Sequence, residues 1–137
     1  MKLTYIAAPF TADTAEGIQE NIDRAAQLAA EVNDAGNGEV FAIVPHTMTA
    51  PVWQKMKHHK KANDDFWYRG DIELLKRCDA IVLGKGWELS KGCRREGSVA
   101  YFMDLPIYYA DRCVNIQAMV DHIRQPKPVA KEESWTT

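Results

Sequence analysis

Long apolar runs, a surplus of one charge, paired cysteines and the common glycine signatures for nucleotides are all missing from this 137-residue chain, and each absence removes a class of function. No apolar stretch approaches the roughly 20 residues that span a bilayer, so no membrane span is expected. The first residues run straight into a short strand without a secretory pattern, which points to the cytoplasm, host cytoplasm if the gene is carried by a phage. A formal net charge of -2 provides no basic footprint for nucleic acid. Cys78, Cys93 and Cys113 are odd in number and lack C-x-x-C spacing, which argues for a reducing compartment and against zinc. His58 and His59 are adjacent and point to different sides of any helix or strand, so no metal site is expected from them. Neither G-x-G-x-x-G nor G-x-x-x-x-G-K-[ST] occurs; this disfavours a dinucleotide oxidoreductase and a P-loop NTPase, and no cofactor is expected.

What is present suffices for one folded unit. A hydrophobic fraction of 46% with 26% charged residues is ordinary for a globular chain of this length, which can bury a real core. Residues 3–8 (LTYIAA) suit a central strand that Pro9 stops, and a polar loop follows at 10–14. Ile18, Ile22, Ala25, Ala26, Ala29 and Val32 recur at helical spacing and predict a helix over 15–35, ended by Gly36. Residues 40–44 (VFAIV) form a second strand before Pro45 and His46. Residues 47–65, with Pro51, Trp53 and the run KMKHHKK, read as a lid, a helix with a basic face or a loop; the run is either a solvated face or a basic flap near a phosphate. A fourth strand at 107–110 (IYYA) and a helix at 116–123 follow. Residues 1–124 thus read as a single domain, and 125–137 as a polar, proline-bearing tail in which only Trp135 hints at docking.

The stretch DIELLKRCDAIVLGKGWELSKGCRREGSVA, residues 71–100, carries the chemistry. It reads as the end of a helix, a buried strand at 80–83, a turn with Gly84 and Gly86, and a helix opening near Ser90. Alternation of strands and helices predicts a right-handed, three-layer α/β sandwich on a parallel, Rossmann-like (flavodoxin-like) sheet. Ligands of such sheets sit beyond the carboxyl ends of the strands, so the loop at 85–92 is the natural site. The same topology brings Tyr5 to Phe10, Ser90 to Gly92 and Glu96 together at one edge. Ser90 as a cap and Gly92 as a point of close approach offer helix N–H groups to an anion.

Two carboxylates fall on apolar stripes. Glu96 heads Val99, Ala100 and Met103, and Asp71 is in line with Trp67, Leu74, Leu75 and Cys78. Burying a carboxylate costs several kcal/mol or raises its pKa. Such residues are either paired or functional: Glu96 with Arg94, Arg95 or Lys91, Asp71 as a turn cap, or both as reacting groups.

Tyr5-Ile6-Ala7-Ala8-Pro9-Phe10, Asp71, CDAIVLGKGW and Ser90-x-Gly92-x-x-x-Glu96-x-x-x-Ala100 together resemble the nucleoside 2-deoxyribosyltransferase family. The likeness is nearest to its small phage and bacterial branch with the W-x-x-S-x-G-x-x-x-E signature, related to the 2'-deoxynucleoside 5'-phosphate N-hydrolases. It covers most of residues 1–110. The resemblance implies that Glu96 is the nucleophile on the anomeric carbon, giving a glycosyl-enzyme ester. It implies that Asp71 assists protonation of the leaving base and that Tyr5 orients Glu96. Water or a second base then resolves the ester, making a hydrolase or a transferase. Transferases of free nucleosides resemble this chain but carry an aspartate at the position of Ser90. The neutral hydroxyl here suits a 5'-phosphate, and Ser90 is also a natural N-cap.

The expected reaction is therefore cleavage of the N-glycosidic bond of a (2'-deoxy)nucleoside 5'-monophosphate, releasing free base. Deoxyribosyl transfer between bases, or a nucleotide-binding module without turnover, are the alternatives. Ala8, Pro9, Phe10, Trp87, Ser90 and Gly92 are the expected substrate contacts; Trp87 either stacks on a base or plugs the core. The loop after Pro9 lacks the glycine- and serine-rich phosphate contacts that the resemblance leads one to seek. The expected partners are a small-molecule nucleotide or nucleoside and a second copy of the chain, as a homodimer or higher homo-oligomer.

Overall fold

The computed structural model describes residues 1–57 and 63–126. Residues 58–62, which include His58, His59 and the end of the 55–61 run, and the tail from 127 with Trp135 lie outside the described residues. The chain runs β1 (Lys2–Ala7), α1 (Ala15–Ala35), β2 (Val40–Ile43), α2 (Pro45–Lys55), α3 (Asp64–Lys76), β3 (Ala80–Leu83), a 3-10 turn (Trp87–Leu89), α4 (Lys91–Phe102), β4 (Ile107–Tyr109) and α5 (Ile116–Arg124). The four strands form one parallel sheet in the order β2-β1-β3-β4, with helices on both faces. This is a three-layer α/β sandwich with a Rossmann-like sheet.

Each strand of the sheet centre is covered on both sides, which is why β3 is apolar at every position and wholly buried. Alternation along β1 divides its side chains between two layers. Ile6 and Ala8 join Ala25, Ala29 and Val32 of α1 and Met119, Val120 and Ile123 of α5. Tyr5 and Ala7 join Leu75 of α3 and Cys93 and Ala100 of α4. Register pairs Tyr5 with Ile81 and Ala7 with Leu83, so the loops after β1 and β3 leave the sheet side by side. The Gly84 amide donates to the Ala7 carbonyl at 2.8 Å, and a Cβ on Gly84 would lie 3.2 Å from that of Ala8. Glycine is what lets these two loops approach.

Strand ends shift by a residue from the pattern-based bounds: β1 gains Lys2 and gives up Ala8, and Val44 becomes the N-cap of α2. The stretch that read as lid, helix or loop contains α2 and the start of α3. α2 begins with Pro at its first turn, where the missing N–H costs nothing. It buries only Pro45 and contains Pro51, so it has no apolar stripe to announce it. Asn63 caps α3 by accepting from the Phe66 amide at 3.0 Å.

Candidate functional site

Glu96 stands on the second turn of α4, and the helix places it against the sheet because Cys93 and Ala100, one turn away on either side, are the residues it buries. It is 5% exposed. None of the cations considered for it takes up the pairing: among the described residues Glu96 has no ion pair, Arg94 donates to the Glu88 carbonyl at 3.1 Å, and Arg95 lies over the Tyr68 ring at 4.6 Å. Burial therefore pushes the Glu96 carboxyl up to about 7, with the charge of Asp71 adding to the rise and the Tyr5 hydroxyl opposing it. Asp71 is half-buried in the interior of α3, so it does not act as a turn cap, and burial raises it to about 6. Among the described residues the Tyr5 hydroxyl is buried without a partner at ordinary hydrogen-bond geometry. It nevertheless lies close enough to Glu96 to favour that carboxylate, while burial and then the charges of Glu96 and Asp71 hold the phenol firmly protonated. The three groups expected to react thus feel one another electrostatically in a layer that is otherwise apolar.

The approach to Glu96 passes over α4's first turn. Ser90 accepts from the Cys93 amide at 3.3 Å and so caps α4, with its hydroxyl also close to the Cys93 thiol. The point where a Gly92 Cβ would sit is 3.7 Å from Glu96 Oε1 and 3.9 Å from Ser90 Oγ. Glycine leaves that gap unfilled, and Gly92 itself is exposed at the surface. An open cavity of about 630 Å³ adjoins this spot, bounded by Ala8 and Pro9 after β1, Gly84 to Gly86 after β3, and Ser90. None of Glu96, Asp71 and Tyr5 lines it, nor do Phe10, Trp87 and Gly92.

Phe10 and Trp87 are placed differently from Ala8 and Pro9. Trp87 packs into the layer containing Tyr5 and tilts against Tyr109 at 5.5 Å, which favours the plug over the stacking platform. Its Nε1 is buried without a partner among the described residues. Phe10 stacks on His46 with ring centroids 4.6 Å apart and planes 15° apart. Sequence reasoning passed over His46, noting it only as the end of β2. Burial lowers its pKa, so it presents a neutral imidazole next to the β1 loop. The signal was its place after Pro45 at the carboxyl end of a strand neighbouring β1.

The buried thiols do not compete as nucleophiles. Burial pushes Cys93 and Cys78 each up to about 11, well away from the thiolate form. Among the described residues no cluster of three or more His, Cys, Asp or Glu is arranged to hold a metal ion. No helix among them is long and apolar enough to cross a membrane.

The fold is shared with a solved structure. A 2-deoxyribosyltransferase from the psychrotolerant bacterium Bacillus psychrosaccharolyticus superposes with a TM-score of 0.52 at 16% identity, over 86% of this chain and 79% of that one. At that identity the likeness establishes a common fold. The chain itself belongs to the family described as domain of unknown function DUF7768, which matches residues 2–110. A search of curated proteins finds no match.

Proposed function

We propose that this protein cleaves the N-glycosidic bond of a (2'-deoxy)nucleoside 5'-monophosphate and releases the free base. The observation that carries this reading is Glu96: a carboxylate 5% exposed, without a counter-ion among the described residues, reached past Gly92, with Tyr5 and Asp71 in its field. A structural role gives no return for that desolvation cost, whereas a nucleophile needs a carboxylate fixed beside the reacting carbon. The shared fold with a 2-deoxyribosyltransferase supports glycosyl chemistry of this general kind.

In this mechanism the Glu96 carboxylate attacks the anomeric carbon while Tyr5 keeps it oriented. The bond to the base breaks as Asp71, carrying the one proton that the pair keeps between its two titrations, protonates the departing nitrogen. The Glu96 ester is then attacked by water, with the proton passing to Asp71, or by a second base, which makes the enzyme a transferase. The 5'-phosphate rests on the Ser90 hydroxyl and the free N–H groups at the start of α4.

Chromatographic assay of base release tests this, using a panel of ribo- and deoxyribonucleosides and their 5'-monophosphates, with and without an added acceptor base. Release from monophosphates by wild type, and none by Glu96→Gln despite retained binding, is the expected result. Turnover by Glu96→Gln at the wild-type rate would sink the mechanism. Thermal stabilisation by a nucleotide with no release from any would instead identify a binding module.

A further inference from the structure

The cavity beside Ser90 is larger than a single phosphate needs. From Ser90 and Pro9 it continues between α1 and the first residue of α5, where Arg24 and Glu31 face it from α1, Lys85 from the loop after β3 and Asp111 from the end of β4. A volume of about 630 Å³ is that of a pocket for a whole small ligand, and its lining takes Ala8, Leu28, Ala110 and Ile116 from the α1 and α5 layer, whereas Glu96 is on the α3 and α4 side. Resting on the placement of the 5' group at Ser90, we propose that the preferred substrate carries a 5'-diphosphate, with its second phosphate held between Arg24 and Lys85.

Both cations are available. Arg24 has an ion pair only with Glu20 among the described residues, at 3.7 Å on the exposed face of α1, where such a pair holds a side chain weakly. Lys85 makes no hydrogen bond or ion pair among the described residues. The wall behind them is fixed: the Asn21 amide donates to the Phe10 and Thr11 carbonyls at 3.0 and 3.3 Å, tying the β1 loop to α1. Glu31 and Asp111 set the limit. They offset the two cations, so the lining favours a further phosphate only where it lies nearest Arg24 and Lys85, and no cation remains for a third.

The test uses the full chain carrying Glu96→Gln, which blocks turnover, titrated calorimetrically with deoxynucleoside 5'-mono-, di- and triphosphates and with inorganic phosphate and pyrophosphate. The diphosphate is expected to bind about tenfold more tightly than the monophosphate, the triphosphate no more tightly than the diphosphate, and the di-to-monophosphate ratio to fall about tenfold when Arg24→Ala and Lys85→Ala are added. Equal binding of mono- and diphosphate, or a ratio unmoved by those two substitutions, overturns the proposal. Pyrophosphate separates this outcome from failure of the glycosidase reading. Its binding, lost with Arg24→Ala and Lys85→Ala, upholds the diphosphate site even if wild type releases no base. Base release with no preference for the diphosphate keeps the enzyme and discards the site.

Discussion

On the α1 and α5 side of the sheet, the buried layer is Ile6, Val32, Val40, Val82, Val120, Ile123 and their alanine neighbours, with Thr4 as its one buried polar residue among those described. On the α3 and α4 side the same strands face Tyr5, Glu96 and half-buried Asp71 among Leu75, Ile81, Leu83 and Cys93. β1 contributes to both, one residue in two to each. The first layer is built as a protein stabilises itself, by removing apolar surface from water. The second keeps titratable groups where burial opposes their charge and no cation among the described residues offsets it. A layer that gathers unpaired acids and buried unpartnered polar atoms at the carboxyl edge of the sheet marks where stability has been given up for chemistry.

Paired substitutions test that contrast. Glu96→Gln should lower base release by about 10⁴-fold or more while leaving the fold at least as stable as wild type above neutral pH, since the desolvated charge is gone. Asp71→Asn should cost about 10²–10⁴-fold, the range for general acid catalysis, with the larger losses on bases that leave poorly. Steady-state rates across a series of leaving bases measure this. On the opposite face, Ile6→Ala should cost about 2–5 kcal/mol in denaturant unfolding and leave the turnover of folded molecules near wild type. If Ile6→Ala abolished turnover in the folded protein, or Glu96→Gln unfolded it, the division of labour between the two faces would be wrong.

Titration sharpens the same comparison. Glu96 and Asp71 lose their protons at about 7 and about 6 in the folded chain, against ordinary values of 4.5 and 3.8. The folded state therefore binds these protons more tightly than the unfolded one. The stability this confers is fully present below a pH of about 4 and is lost as the pH rises to about 7. Glu96→Gln should flatten the fall in Tm over that interval, as calorimetry would show; an unchanged slope would mean that Glu96 is not desolvated in solution. Because the pair titrates as a unit, kcat/KM should be bell-shaped, rising as the first proton leaves and falling as the second does. The mildest change, Gly92→Ala, adds a methyl at ordinary contact distance from Glu96 Oε1 and Ser90 Oγ. It should leave the fold intact and raise KM about tenfold by narrowing the approach to Glu96.

Most of this architecture was legible before any coordinates. Apolar runs and helical spacing located β1, α1, β3 and α5 and the start of α4 to within a residue or two, because those elements bury the residues that make them readable. α2 was hidden for the opposite reason: it buries only Pro45, and a helix without an apolar face leaves no periodic trace. His46 was missed because its neighbour in space, Phe10, is thirty-six residues away in the chain, and their stacking joins the ends of adjacent strands. Trp87 had two open readings, and only the position of Tyr109 on the edge strand β4 separates them.

By itself the sequence determined the alternation of strands and helices, the cap at Ser90 and the presence of two acids on apolar stripes, since each depends on spacing within a single element. It left open whether those acids were paired. That was decided by tertiary structure, because the charges that might have neutralised Glu96 lie on α4 itself, and the helix turns Arg94 and Arg95 outward to Glu88 and Tyr68 while it turns Glu96 inward to Tyr5. Packing β1 beside β3 then brought Tyr5, some ninety residues earlier, under the carboxylate and Asp71 within its field. Desolvation and electrostatic coupling are properties of a place in three dimensions, and no pattern along the chain can specify them.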